Sequence, residues 1–514
     1  MSESRLVRNS LIAGVTMLVT ACASREVPAQ YPKAVAASPD ASAAKPALVT
    51  QTLAPAAPIA GGKPSSSPSA PAQAGHQGRA AQLPATPEGP VELESTAEGL
   101  ALLKRPLDAD GAVRLALLNN RELRAQLREL GVRAGDVVTA GLVANPTLEF
   151  ELLPERDSRY ELRVEYDLTS LLMAPLRRSA AEADLEAARL AAASAVLQLG
   201  YDVRSRFYAL QAAQQRLELE QQSLEALAAA RDAIQALVDA GNVRQLDAAA
   251  GIAAHERARV RVASLELEVA ERREEVQRLL GLYGEQTEWQ MAGGLPDAPD
   301  ASAPTDGLER AALEANLDLR ATHKRLDALA KQTGVVRTEG WLPEVAADVH
   351  ALRVKAEPGG AGDEWNWGAG VSLRIPVFDR GQGRLRSVES QFDAALERYQ
   401  GMAIEVRSAA RDARNRAVST FARARQYQTV IRPAQRAVLE QTLLQYNAMQ
   451  IGVFELLVAR RELLDVELAY VDTLREFWTA QAELEVLRRG RFVRAGESPR
   501  IASLDTSAER QGGH

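Results

Sequence analysis

The sequence predicts an α+β membrane protein in which one structural unit is written twice. Three observations carry this reading. Two stretches alternate apolar and polar residues as strands do, several others keep a helical apolar stripe over very long distances, and landmarks of the first half return in the second. Each half reads as a short helix, a helix, two strands, a very long helix, a turn and a long helix.

The recurrence is specific in its order. Asn120-Arg121-Glu122-Leu123-Arg124-Ala125 returns as Asn316-Leu317-Asp318-Leu319-Arg320-Ala321, and Pro146 returns as Pro343. Arg177 to Ala188 returns as Arg384 to Ala395, and Gly241-Asn242-Val243 with Leu246 returns as Gly452-Val453-Phe454 with Leu457. The offset grows slowly from 196 to 211 along the chain. The first unit is expected over 97–300 and the second over 301–490.

The strands come next. Tyr160 to Leu168 and Trp365 to Ile375 alternate without a break, so one residue set lies on each face of a sheet. Thr147–Leu152 and Ala346–Lys355 are their weaker partners. Two half-buried hairpins on a soluble sheet would show the same alternation. Strands near ten residues long with aromatics at one end fit the wall of an outer-membrane barrel. Charged residues Glu149, Glu151, Glu161, Arg163, Glu165, Asp167 and Arg374 would then face a water-filled lumen.

The helices are longer than a globular core can hold. Ala180 to Asp239 contains no proline, and at 1.5 Å per residue it extends about 90 Å. Arg380 to Gln450 is its counterpart, with a kink expected at Pro433. The returning helices, Gln245–Leu282 and Phe454–Arg489, carry apolar spacing near 3.5. Ala258, Val262, Leu265, Val269, Val276 and Leu279 form one stripe. The last helix carries two adjacent stripes, Leu457-Leu464-Val471-Trp478 and Leu456-Leu463-Tyr470-Phe477-Leu484, so it needs neighbours on both sides.

The 514 residues contain 61 Lys+Arg and 68 Asp+Glu, a net charge of −7 without a basic tract, which removes the electrostatic basis for nucleic-acid binding. At the N-terminus, Arg5 and Arg8 precede the apolar Leu11–Val19 and then Val19-Thr20-Ala21-Cys22, an export signal ending in the order of a bacterial lipobox. A plain secretory signal is the alternative. Cys22, the one cysteine of the chain, stands where acylation needs it, and lipid chains would replace the absent membrane helix as an anchor. The signal is expected over 1–22, with sorting to the outer membrane. Residues 23–95 hold twelve of the 24 prolines and read as a disordered tether, and 491–514 as a disordered tail.

Four strands cannot close a barrel, and an open sheet edge in lipid leaves backbone groups unsatisfied at several kcal/mol each. Several copies must therefore share one barrel, continued by a helical cylinder on the order of 100 Å long.

The repeated Asn-x-(Glu/Asp)-Leu-Arg-Ala, Ile375-Pro376-Val377-Phe378-Asp379-Arg380-Gly381 before a long helix, and Gly452-Val453-Phe454-Glu455-Leu456-Leu457 at a turn resemble the TolC-like outer-membrane efflux proteins. With the lipobox, the resemblance is to the lipoprotein branch serving resistance-nodulation-division pumps. It implies a homotrimer with a 12-stranded outer-membrane β-barrel, a periplasmic α-helical barrel, and docking to an inner-membrane pump through a periplasmic adaptor protein. It further implies adaptor docking at the helix tips, here Gly241, Val243, Leu246, Gly452, Phe454 and Leu457. Glycine as a plain helix stop fits the same positions. Relatives often place acidic residues six and nine positions after the second glycine to constrict the lumen. Here these are Val458 and Arg461, so the candidate gate is drawn from Glu455, Val458, Arg461, Glu462 and Asp465.

His76, His255, His323, His350 and His514 are scattered, with no ligand spacing, and no nucleophile–base arrangement can be read. Neither an enzyme nor a cofactor is expected. Two readings compete with a small-solute efflux duct. One is the outer-membrane duct of type I protein secretion. The other is a structural periplasmic coiled-coil lipoprotein, which gives no reason for strands at matching places in both halves.

Overall fold

A computed structural model describes residues 97–153, 159–240, 244–354 and 364–493. The expected signal with Cys22, the tether, the residues beyond 493, and Gly241 and Val243 lie outside the described residues.

Helices α1 (Ala97–Leu103), α2 (Ala109–Asn119) and α3 (Arg121–Gly141) lead into strands β1 (Thr147–Leu153) and β2 (Arg159–Asp167), then α4 (Leu168–Asp239) and α5 (Gln245–Leu280). A strap containing one 3₁₀ turn (Gly284–Thr287) leads to α6 (Leu308–Ala315), α7 (Leu317–Trp341), β3 (Glu344–Val354) and β4 (Glu364–Arg374). There follow α8 (Gln382–Gln426), a π turn (Tyr427–Ile431), α9 (Arg432–Asn447) and α10 (Val453–Arg488). From α2 and from α6 onward the same order follows, two helices, two strands, a long helix and a returning helix, with the second long helix interrupted by the π turn and continued as α9.

The recurring asparagines have a shared physical role. Asn120 and Asn316 are the N-caps of α3 and α7, and each side-chain oxygen accepts from the N–H three residues on, at 2.9 and 2.8 Å. Both asparagines are buried. A second matched pair closes the returning helices. Gly281 and Gly490 follow α5 and α10 with φ of +67° and +103°. A Cβ there would sit 2.9 Å from the Asn119 carbonyl oxygen and 2.3 Å from that of Ala315. Left-handed backbone and close approach together demand glycine at these two places.

Four helical rods lie side by side. α4 packs against α3, α5, α7 and α10, while α10 packs against α4, α8 and α9. The expected stripes fit this order. On α5, Ala258, Val262, Leu265 and Val276 are buried, chiefly against α4, with Val276 also in the cluster that includes α2. On α10, Leu464, Tyr470, Val471, Phe477 and Leu484 are buried between two. Phe207 and Phe477 are fully buried at the centres of separate clusters, each contributing roughly 1.5–3 kcal/mol by leaving water. The outer flanks keep exposed apolar residues, with Leu246, Ile252, Val260 and Leu267 on α5 and Ile404 and Val418 on α8.

Three expectations are corrected. α4 begins at Leu168, twelve residues before Ala180, because Asp167 caps it by accepting from the N–H groups of Thr169 and Ser170 at 2.8 and 3.2 Å. The helix therefore runs through Pro175, and its 72 residues extend about 108 Å. The kink expected at Pro433 takes the form of a π turn ending two residues earlier. Proline has no N–H for the carbonyl four residues back, and the wider turn absorbs the mismatch. The tail expected from 491 stays packed through 493. Phe492 is buried, and Arg491 pairs with Asp318 and donates to Gln198 at 3.0 Å.

Candidate functional site

The four strands form one antiparallel meander in the order β1-β2-β3-β4. Its register places Glu149 opposite Arg163, Glu151 opposite Glu161, Arg163 opposite His350, and Glu344 opposite Arg374. By strand parity, Glu149, Glu151, Glu161, Arg163, Glu165, Asp167 and Arg374 therefore share one face, together with Glu344, Asp348, His350 and Ser372. Ion pairs knit that face together. Arg163 meets Glu161 at 2.8 Å, Arg374 meets Glu344 at 2.7 Å, and His350 Nδ1 lies 3.1 Å from Asp348. Gly368 and Gly370 make room for the last pair. A Cβ at either would fall 2.3 Å from His350 Nε2 or 2.4 Å from Asp348 Oδ1.

The opposite face is apolar apart from Arg353 near the end of β3, whose guanidinium lies 5.8 Å from the Trp365 ring centroid. Leu148, Phe150, Leu152, Tyr160, Leu162, Val164, Val349, Trp365, Trp367, Val371 and Leu373 are all exposed. An eleven-residue strand such as β4 spans about 36 Å, and a tilt near 40° reduces its height to about 28 Å, close to a hydrocarbon core. β1 and β4 are the sheet's edges, each with a partner on one side only. No helix among the described residues is long and apolar enough to cross a membrane.

At the far end of the rods the structure revises the turn chemistry. α9 ends at Asn447, and the left-handed residue of the turn is Met449, with φ of +57° and 93% exposure. Gly452 has φ of −83° and extended backbone as the N-cap of α10, a conformation open to other residues. Only the side chain of Glu455 would meet a Cβ there, at 2.9 Å. Gly452 is thus not the residue that reverses the chain. Leu246 at the start of α5 is highly exposed, while Phe454 and Leu457 are half-buried.

Glu455, Val458, Arg461, Glu462 and Asp465 are all exposed on the first turns of α10. Arg461 pairs with Asp465 at 3.0 Å, and Glu462 accepts from Gln435 Nε2 at 3.1 Å. This segment therefore presents one internally paired arginine between carboxylates. Among the described residues, no three His, Cys, Asp or Glu side chains converge as a metal centre would require.

A belt of interactions at mid-length was not legible in the sequence. Arg432, just after the π turn, pairs with Glu467 at 2.8 Å and lies 4.1 Å from the ring centroid of Tyr470. The Tyr470 hydroxyl donates to Asp297 of the strap at 2.7 Å. Burial, then the bond to Asp297, pushes that phenol well above its ordinary pKa. Trp478 donates to the Pro296 carbonyl at 2.8 Å, and Arg425 pairs with Asp300 at 3.0 Å. The strap thus fastens α8, the start of α9 and α10 together. The scattered acids of 296–300 gave no periodic signal that would have announced it.

Comparison with known proteins places these features. The outer membrane efflux protein family matches residues 308–487. The cobalt-zinc-cadmium resistance protein CzcC of Cupriavidus metallidurans is 26% identical over 391 residues, covering 74% of this chain and 89% of CzcC. Among solved structures, the transmembrane channel CusC aligns with a TM-score of 0.62 at 17% identity, over 74% of this chain and 92% of CusC. The Campylobacter jejuni outer membrane channel CmeC also gives 0.62, at 15% identity, over 75% of this chain and 86% of CmeC. The second half of the chain is thus similar to the outer membrane efflux protein family, and the whole described fold is similar to that of these channels.

Proposed function

We propose that this protein is the outer-membrane duct of a tripartite efflux system, conducting small solutes passively from an inner-membrane pump and a periplasmic adaptor to the exterior. The sheet carries the reading. One face is charged, the other is apolar and exposed, and both edges lack partners, as expected of one arc of a barrel in lipid. Three copies would bring twelve strands and close the edges β1 to β4. The flanks of α5 and α8 would meet likewise and continue the barrel as a helical cylinder. The matched element order, the paired asparagine caps and the paired closing glycines support an origin by duplication. Under this reading Glu149, Glu151, Glu161, Arg163, Glu165, Asp167 and Arg374 line the lumen. The tips, Gly241 to Leu246 and Gly452 to Leu457, meet the adaptor. Glu455, Val458, Arg461, Glu462 and Asp465 surround the narrowing at the tip.

Cys22 would carry the lipid, with 23–95 as a tether between anchor and barrel. The name of the relative CzcC puts cobalt, zinc and cadmium first among cargoes to test. Deleting the gene should lower the tolerated concentration of these ions, and re-expression of the full chain should restore it. Unchanged tolerance of both metals and drugs would overturn the efflux reading. Loss of an exported polypeptide instead would favour type I secretion.

A further inference from the structure

We propose that Trp341 and Arg380, at the junction of sheet and rods, form a binding site for the phosphate-bearing headgroup of a glycerophospholipid in the periplasm-facing leaflet. This rests on the sheet lying in the outer membrane.

The apolar face of the sheet does not stop where the strands stop. Past Leu373 the period continues through the exposed Ile375 and Val377, and Phe378 is 93% exposed. Trp341, the last residue of α7, stands at the same level with 75% of its surface free. Aromatic side chains at the rim of an apolar band sit at the headgroup boundary, with ring atoms toward the chains and the polar edge toward water.

Against this rim the chain sets one cation. The Arg380 guanidinium lies 5.7 Å from the Trp341 ring centroid. No carboxylate among the described residues pairs with it, whereas Arg374, Arg384 and Arg337 nearby are paired with Glu344, Glu339 and Glu389. Its sequence neighbour Asp379 is turned away to accept from the Gly381 N–H at 2.8 Å.

The placement is built into the backbone. Gly340 lies so close to residue 380 that a Cβ would fall 2.1 Å from the Arg380 carbonyl oxygen. Only glycine lets the end of α7 meet the entry to α8 and bring ring and guanidinium together. A planar fork of donors beside an amphipathic ring, continuous with an acyl-facing surface, matches a phosphodiester whose chains lie along Ile375, Val377 and Phe378.

The test is native mass spectrometry of the full-length, detergent-extracted protein titrated with phosphatidylglycerol. R380Q should weaken lipid retention about fivefold, the ratio corresponding to ~1 kcal/mol for one basic residue at an anionic surface. W341A should weaken it as well. R380K should recover part of the loss, and R384Q, whose arginine is already engaged, should bind as the unaltered protein does. Inorganic phosphate at about 10 mM should not displace the lipid, because it lacks the chains that fill the apolar rim. Equal retention by R380Q, an equal loss in R384Q, or displacement by phosphate would each overturn the site. An assembly that stays intact and membrane-inserted in any of those cases separates this failure from failure of the duct reading.

Discussion

Val349 offers a strong single perturbation of the membrane face. It is the middle residue of β3, it points to the apolar face, and it is exposed. In a soluble sheet, V349R would add a charge to an already solvated surface, with an effect within about 0.5 kcal/mol. At the midplane of a bilayer the same change costs about 2–4 kcal/mol per chain. That range divides the folded population relative to unfolded by roughly 30 to 900. Ser372 supplies the matched control, because it is exposed on the charged face opposite Ala346. S372R should leave the equilibrium nearly unchanged. The assay is reversible urea unfolding in lipid vesicles, followed by tryptophan emission and protease protection. Equal stability of V349R and S372R would refute the assignment of faces.

Three further outcomes follow from other parts of the chain. C22S should abolish labelling by radioactive palmitate, and continued labelling would refute the lipid anchor. G490A forces a side chain into φ of +103° and against the Ala315 carbonyl. It should cost about 1–3 kcal/mol in chemical unfolding, and G281A should lose stability likewise; unchanged unfolding would remove the closing role of these glycines. Glu483 is buried on α10 beside Arg416 at 2.6 Å, with Tyr201 and Asp412 also facing it. Burial raises its carboxyl above the ordinary value, although Arg416 opposes this, so the folded state holds the proton more tightly than the unfolded chain. That contribution is complete below about pH 4.3 and is lost as pH rises through the folded value. E483Q, which cannot ionise, should therefore gain stability relative to the unaltered chain as pH rises above the ordinary carboxyl range, and a difference independent of pH would contradict this.

Much of the architecture was legible because the sheet and rods are nearly one-dimensional patterns. Alternation in Tyr160–Asp167 and Trp365–Arg374 fixed both faces, since period two admits only one parity. The single stripe on α5 and the double stripe on α10 gave their neighbours. What stayed hidden depended on contacts distant in sequence. Leu168 read as the end of a strand because it continues the alternation, and the helix was expected only from Ala180, whereas the Asp167 cap starts it at Leu168. Gly452 drew attention as the turn residue, yet the reversal falls on Met449, where side-chain type gave no hint of a left-handed backbone. The role of Gly340 is set by a carbonyl forty residues away. The strap around Asp297 and Asp300 earns its order from Tyr470, Arg432 and Arg425, none of which lies near it in sequence.

Cysteine cross-linking across the free edges tests shared closure most directly. One cysteine is placed in β1 and one in β4, each scanned along the strand in a chain carrying no other cysteine. Oxidation in the membrane should yield a ladder ending at three linked chains for one register and nothing beyond it. A bond forming only within single chains would show that each sheet closes on itself, and the shared barrel would be wrong.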